Sequence, residues 1–329
     1  MNFLLFLVSL ATSTITANLL MFASANDVPD AMLCFFIGGF IGWLAISLLR
    51  VAHYKALILF INLSIIFSFI VLIYNPTFFT GYGTLLLKYA IPSFFLIISS
   101  GLRLATIPMV LQGKELSLSY RVIPAVVLVS LPLSAFLLSV EAIPLYNKVI
   151  LFQIVSLGSY FFVRVCEPSH LSSGFNRLSL GSDAFKTRIA LATFGILLFS
   201  SIGIALAFSS RLSFHLLSYE DVITLYLCMV FAGVFIPIGQ VLTSRLFLGL
   251  FLFVPMISLL IMNYLDFDLE WSLGVILVSG LVSGILIPKV QALVLNIEEL
   301  GLRKTVSSDY SLIRFTIPAV SGYLLKVFV

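Results

Sequence analysis

Eleven apolar runs, each about the length of a membrane-spanning helix, follow one another through this chain, and the loops between them alternate in basic charge. Counted from the N-terminus, the even-numbered side holds Arg50, Lys55, Arg103, Lys114, Arg121, Arg164, Arg177, Lys186, Arg188, Arg245, Lys289, Arg303, Lys304 and Arg314. The odd-numbered side holds Lys88, Lys148, Arg211 and Lys326. Fourteen against four is the asymmetry expected when basic loops stay cytoplasmic. The pattern predicts an all-α polytopic membrane protein with a cytoplasmic N-terminus and an external C-terminus, of the kind found in a bacterial inner membrane.

Composition excludes most alternatives. Residues are 61% hydrophobic and 10% charged, against about 25% charged in soluble domains, so the chain cannot clothe a water-facing globule. Only helices or a closed barrel satisfy the backbone in lipid. The runs last roughly 20 residues without strict alternation, which selects helices. The expected spans are 3–24, 31–49, 55–75, 87–112, 119–140, 143–163, 187–208, 218–243, 246–264, 271–293 and 309–329. Ala23-Ser24-Ala25 resembles a signal-peptidase site. However, Met1-Asn2 carries no side-chain charge and the apolar stretch exceeds the usual length of about 7–15 residues, so a retained first helix is expected. Cys34, Cys166 and Cys228 have no metal-ligand spacing and suggest no disulfide framework. The net charge of +4 follows from the loop asymmetry and is no sign of nucleic acid as a partner.

The longest polar interruption, 164–186, divides an N-terminal six-helix bundle (1–163) from a C-terminal five-helix bundle (187–329). The halves share residues at a steady offset. Leu33-Cys34 with Gly39 matches Leu227-Cys228 with Gly233, and Ile123-Pro124-Ala125-Val126 matches Ile317-Pro318-Ala319-Val320, both 194 residues apart. Ser100-Gly101 with Ile107-Pro108 matches Ser279-Gly280 with Ile287-Pro288 at about 180. Six helices before the second copy give both copies one orientation, so the repeats are parallel.

On these residues the chain resembles the major facilitator superfamily, and the resemblance covers most of its length. The family's loop between helices 2 and 3 would fall at Ala45 to Tyr54. Arg50 fills its arginine, while Leu49, Ala52 and His53 replace the aspartate, glycine and following basic residue. After helix 8, Gly239 and Thr243 take the glycine and aspartate positions, with Arg245 nearby. Eleven helices with inside N-terminus and outside C-terminus also match the layout of equilibrative nucleoside transporters. That family's helix 8 acid is absent, with Gln240 and Arg245 near its acidic and basic places.

Arg103 is the most informative single residue, roughly 24 Å from the external end of its helix at 1.5 Å per residue. An arginine at that depth is costly unless it faces a cavity, a partner or the interface. It reads equally as an anion-binding or gating residue and as a side chain snorkelling to the cytoplasmic headgroups. Asn18 and Gln240 lie on helices that line the cavity in the resembled family, which makes them candidate solute contacts along with Gln153; self-bonding within the membrane is the plainer role for such groups. Arg50, His53 and Lys55 first fix topology, and through the resemblance are a candidate gating loop. Gly38-Gly39-x-x-Gly42 and Gly280-x-x-x-Gly284 read as close helix packing. No Asp or Glu falls in the middle of an expected span, which disfavours a membrane-depth proton relay. His53, His170 and His215 are too scattered to share a metal, and no phosphate loop or nucleophile elbow appears, so neither enzyme nor cofactor is expected.

The reading is a facilitator-type secondary transporter with two parallel pseudo-repeats of transmembrane helices. It would move a small-molecule solute, whether anionic, nucleoside-like or lipophilic, by alternating access. A lipid or glycolipid flippase, suited to a carboxylate-free aromatic cavity, and a transport-inactive membrane sensor or assembly protein are the alternatives.

Overall fold

The computed structural model describes residues 1–27, 29–48, 53–74, 81–111, 113–166, 182–212, 219–236, 245–264, 268–297 and 299–328. Among these residues the chain forms eleven helices and no strand. They are α1 (Asn2–Asn26), α2 (Pro29–Leu48), α3 (Tyr54–Tyr74) and α4 (Tyr82–Val110), then α5 (Gly113–Ser139), α6 (Leu145–Phe161) and α7 (Ser182–Leu212). The remainder are α8 (Tyr219–Phe235), α9 (Arg245–Tyr264), α10 (Leu269–Leu295) and α11 (Leu300–Phe328). Seven of them contain stretches long and apolar enough to cross a bilayer, and α8 and α9 hold shorter apolar stretches. The large hydrophobic residues left exposed, such as Phe60, Phe67, Phe136, Phe253 and Trp271, are what a lipid-facing exterior requires. The protein is an integral, multi-pass membrane protein.

Several element boundaries depart from the sequence expectation, α5 starting at Gly113 and α7 at Ser182 among them, and three have a local reason. Helix α4 begins at Tyr82 rather than 87, and its residues Leu86–Ala90 widen into a π turn. Pro92 cannot donate to the carbonyl of Lys88, so the ladder slips by one residue there. Helix α8 ends at Phe235 rather than 243, because Ile236 precedes Pro237 and proline disfavours helical geometry in the residue before it. Helix α11 starts at Leu300 rather than 309. Arg303 and Lys304 read as loop by charge, yet Lys304 is buried.

By contacts the chain divides into two compact units. The first holds Met1–Ser119, Ser130–Phe185 and Leu295–Leu312, and the second holds Tyr120–Val129, Lys186–Val294 and Ile313–Val329. In the first unit α4 is the central element, buried without interruption from Leu96 to Ile107. Helix α1 packs on α6, α4 and α2, while α3 packs on α6 and α4. One end is tied by Asn2, whose amide donates to the carbonyls of Val110 (3.1 Å) and Arg164 (3.0 Å) and accepts from the Arg164 N–H (2.8 Å). At the other end, Lys88 on the π turn pairs with Asp27 at 2.7 Å, and Tyr89 donates to the same carboxylate at 2.7 Å. Lys148 is buried and donates to the carbonyls of Leu137 (2.6 Å) and Val140 (2.5 Å), where its cation meets the negative end of α5.

Each unit repeats one packing device. In the first, a Cβ at Gly42 would lie 2.5 Å from the carbonyl oxygen of Phe94, and one at Gly38 would overlap the carbonyl of Ala90, so α2 lies backbone-to-backbone on α4. In the second, Gly233 on α8 faces the Leu281 carbonyl, and Gly284 on α10 faces that of Val230. The glycines expected to allow close packing do so, and the helix pairs they join are the ones related by the sequence repeat. This is the small-residue solution to association where lipid removes the hydrophobic drive.

Candidate functional site

Arg103 lies inside the first unit with no exposed surface. Its Nη1 donates to Ser13 Oγ on α1 (2.9 Å) and to Ser99 Oγ one turn back on α4. Its Nη2 donates to Asn62 Oδ1 on α3 (3.2 Å) and to Ser156 Oγ on α6 (2.9 Å). The guanidinium also lies 5.4 Å from the centre of the Tyr160 ring. One side chain thereby joins four helices, and it is drawn into the bundle rather than along its own helix to the headgroups. The snorkelling alternative is set aside by this placement.

The partners are themselves fixed. Asn62 donates to the carbonyl of Ile58 at 2.8 Å, which orients its oxygen toward Arg103. Ser9 and Ser156 exchange hydroxyl-to-carbonyl bonds, both 3.1 Å, across α1 and α6. Among the described residues, the partners of the guanidinium are three hydroxyls and an amide, with no carboxylate. The four Nη hydrogens are thus engaged, and only Nε–H has no acceptor. Three residues before Ser156, Gln153 is fully buried, and neither its Oε1 nor its Nε2 has a hydrogen-bond partner among the described residues. Buried amides left in that condition cost free energy.

Asn18 is buried on α1 but belongs to another seam, donating to Ser130 Oγ on α5 at 3.0 Å. Of the candidate gating loop, His53 is exposed, and Lys55 holds its ammonium 5.8 Å above the Phe161 ring at the end of α6. Arg50 and Gln240 lie outside the described residues. The structure thus gathers Arg103 with the neighbourhood of Gln153, and keeps Asn18 and Lys55 in separate places. Ser99 and Ser156 were not singled out from sequence. Ser99 sits four residues before Arg103, a spacing that faces it on a helix, and this signal could have found it.

One expectation is corrected. The expected last span put Asp309 at its first residue, but α11 starts at Leu300, so Asp309 falls nine residues into it and is buried, accepting the Trp43 indole N–H at 2.6 Å.

No family model matches the sequence, and no curated protein matches it. Solved structures do match over the whole length. The human organic anion transporter MFSD10 (TETRAN) is 16% identical with a TM-score of 0.62, over 98% of this chain and 92% of that one. FucP, a Major Facilitator Superfamily transporter in its outward conformation, is 11% identical with a TM-score of 0.65, over 100% and 92%. A variant of the E. coli fucose:proton symporter FucP gives 9% and 0.54, over 99% and 91%. The architecture is that of a polytopic all-helical membrane protein with two parallel repeats. Its fold is the major facilitator fold.

Proposed function

We propose that this protein is a secondary transporter that moves a small organic anion by alternating access between two helix bundles. The observation that carries the reading is the end-to-end match with transporters, at TM-scores of 0.62 and 0.65, in a chain whose first unit buries an arginine bonded, among the described residues, to neutral groups. A guanidinium in a low-dielectric interior projects a positive field, which favours an anionic solute over a neutral one. MFSD10, named for organic anions, supports that choice. Arg103 contributes mainly through this field and through Nε–H, because its Nη fork is occupied. Gln153, Asn18 and Gln240 are the further candidate solute contacts. Arg50, His53 and Lys55 form the candidate gating loop on the cytoplasmic side.

Counterflow in proteoliposomes tests the reading without assuming a coupling ion. Vesicles preloaded with an unlabelled aromatic or aliphatic carboxylate should accumulate the labelled compound transiently, and neutral amide analogues should not. Absence of counterflow together with movement of labelled lipid would replace the transporter with a flippase. Absence of both would favour the sensor or assembly protein. The proposed orientation is tested by reporters: a periplasm-dependent enzyme fused after Val329 should be active, and one inserted in 164–186 should be silent. An active insertion in 164–186 would invert the topology.

A further inference from the structure

We infer that the Nε edge of Arg103 and the amide of Gln153 form a halide site inside the first unit, a place for one chloride-sized anion between α4 and α6. The inference goes beyond the transporter reading and does not depend on it. The buried residues of α6 are Lys148, Val149, Gln153, Ser156 and Tyr160. Spacings of three, four and seven put Gln153, Ser156 and Tyr160 on one face of that helix. Two of the three already touch the guanidinium: Ser156 Oγ accepts from Nη2 at 2.9 Å, and the Tyr160 ring centre lies 5.4 Å away. A planar guanidinium carries Nε–H and one Nη2–H side by side on one edge. Because Nη2 bonds to Asn62 on α3 and Ser156 on α6, the unused Nε–H opens toward that same side. The helices also bring Gln153 to a matching level. Helices α4 and α6 run the same way, since the carbonyls of Val110 and Arg164 beyond their C-terminal turns both accept from Asn2. Arg103 reaches back one turn to Ser99, and Gln153 lies one turn back from Ser156, so the guanidinium leans toward the level of the amide.

Two deficits meet there. The cation has no carboxylate partner among the described residues, and two of this unit's acids are committed elsewhere, Asp27 to Lys88 and Tyr89 and Asp309 to Trp43. An uncompensated charge in a low-dielectric interior is costly. The Gln153 amide has both its N–H donors and its carbonyl oxygen unmet among the described residues. A water alone answers the amide but leaves the charge. An anion answers both, accepting from Nε–H and from the Nε2 hydrogens, while one water held with it donates to Oε1. Size selects a monatomic ion. Ser99, Arg103, Asn62, Gln153, Ser156 and Tyr160 are each 0% exposed, so the chain of an organic carboxylate finds no room among them. The oxygens of a sulfate or phosphate would outnumber the N–H groups that remain, whereas a halide needs only a few convergent donors.

The test uses the full chain purified in detergent, with sodium held constant while gluconate is exchanged for chloride. The melting temperature should rise saturably with chloride, because an ion bound only to the folded state stabilises it by mass action. Bromide should act alike, and the chloride NMR line should broaden with protein and narrow again when bromide is added. Gln153→Leu removes the amide donors and loses no hydrogen bond made among the described residues, so in gluconate it should melt no lower than the wild type. Its half-saturating chloride should rise at least about tenfold, the equivalent of one charge-assisted bond. Gln153→Glu supplies the missing counter-charge and should abolish the chloride response. No chloride response in the wild type would leave water as the occupant and overturn the site. An unchanged response in Gln153→Leu or in Gln153→Glu would place the ion elsewhere and overturn it equally. None of these readouts involves transport. The ion and an anionic solute draw on the same charge, so the preference for carboxylates over amides in counterflow should be weaker in chloride than in gluconate. Counterflow that is absent while chloride binds removes the transporter reading and spares the site. Equal preference in both salts, with chloride bound, removes the field of Arg103 from the transporter reading and likewise spares the site.

Discussion

Arg103→Met should leave the first unit folded while removing the preference for anionic solutes, and Arg103→Ala should destabilise the unit itself. The two substitutions separate what the charge does from what the side chain fills. Methionine occupies most of the arginine volume, and the Ser13, Ser99 and Ser156 hydroxyls, which accept from Arg103, keep their own O–H for a carbonyl, as Ser156 already does toward Ser9. Replacing a buried ion by an apolar residue of similar size is often nearly neutral for stability. Alanine forfeits the same bonds and in addition leaves a cavity costing about 2 kcal/mol or more. Lysine keeps the charge, but one ammonium cannot reach Ser13, Asn62 and Ser156 together, so Arg103→Lys should also lower the melting temperature in detergent. Counterflow of carboxylates by Arg103→Met should drop at least about tenfold, the equivalent of one charge-assisted bond. Wild-type counterflow in a well-folded Arg103→Met protein would show that transport does not use the charge, and Arg103 would be a helix fastener alone.

The glycine contacts predict a second large effect with internal controls. Gly38→Ala and Gly284→Ala place a methyl against backbone carbonyls, those of Ala90 and Val230, which have no rotamer to yield. The helices must part, at a cost of about 1–3 kcal/mol for each substitution. Gly158 and Gly274 have nothing within 4 Å of an added Cβ. Alanine there should be neutral or stabilise by roughly 0.5–1 kcal/mol, because glycine is a poor helix former. Melting curves of the four single variants in one detergent give the comparison directly. Equal behaviour of Gly38→Ala and Gly158→Ala would mean that α2 and α4 are not in backbone contact.

What the sequence determined by itself was the succession of eleven helices found among the described residues. An apolar run of about 20 residues has one stable arrangement in lipid, and its length is a local property. The glycine spacings also announced close packing, since small residues at helical period serve little else in a lipid-facing helix. Charge was a poorer guide to boundaries. Arg303 and Lys304 looked like loop, and that reading pushed the start of α11 nine residues late and moved Asp309 to a helix end. A sequence shows that a residue is charged but not whether a partner waits for it, and Trp43 stands 266 positions away from Asp309.

Arg103 shows the same division. Its depth in α4 was countable from sequence only from an assumed helix start at 87, and α4 begins five residues earlier, at Tyr82. Its destination depended on the rotational phase of α4 against α1, α3 and α6, which is set only when their surfaces interlock. Tertiary structure alone decided that the guanidinium would meet Ser13, Asn62 and Ser156 rather than a headgroup, and that Asn18 would serve a different seam with Ser130. The physical reason is that burial and backbone satisfaction are fixed span by span, while the pairing of polar groups is a property of how several spans turn toward one another.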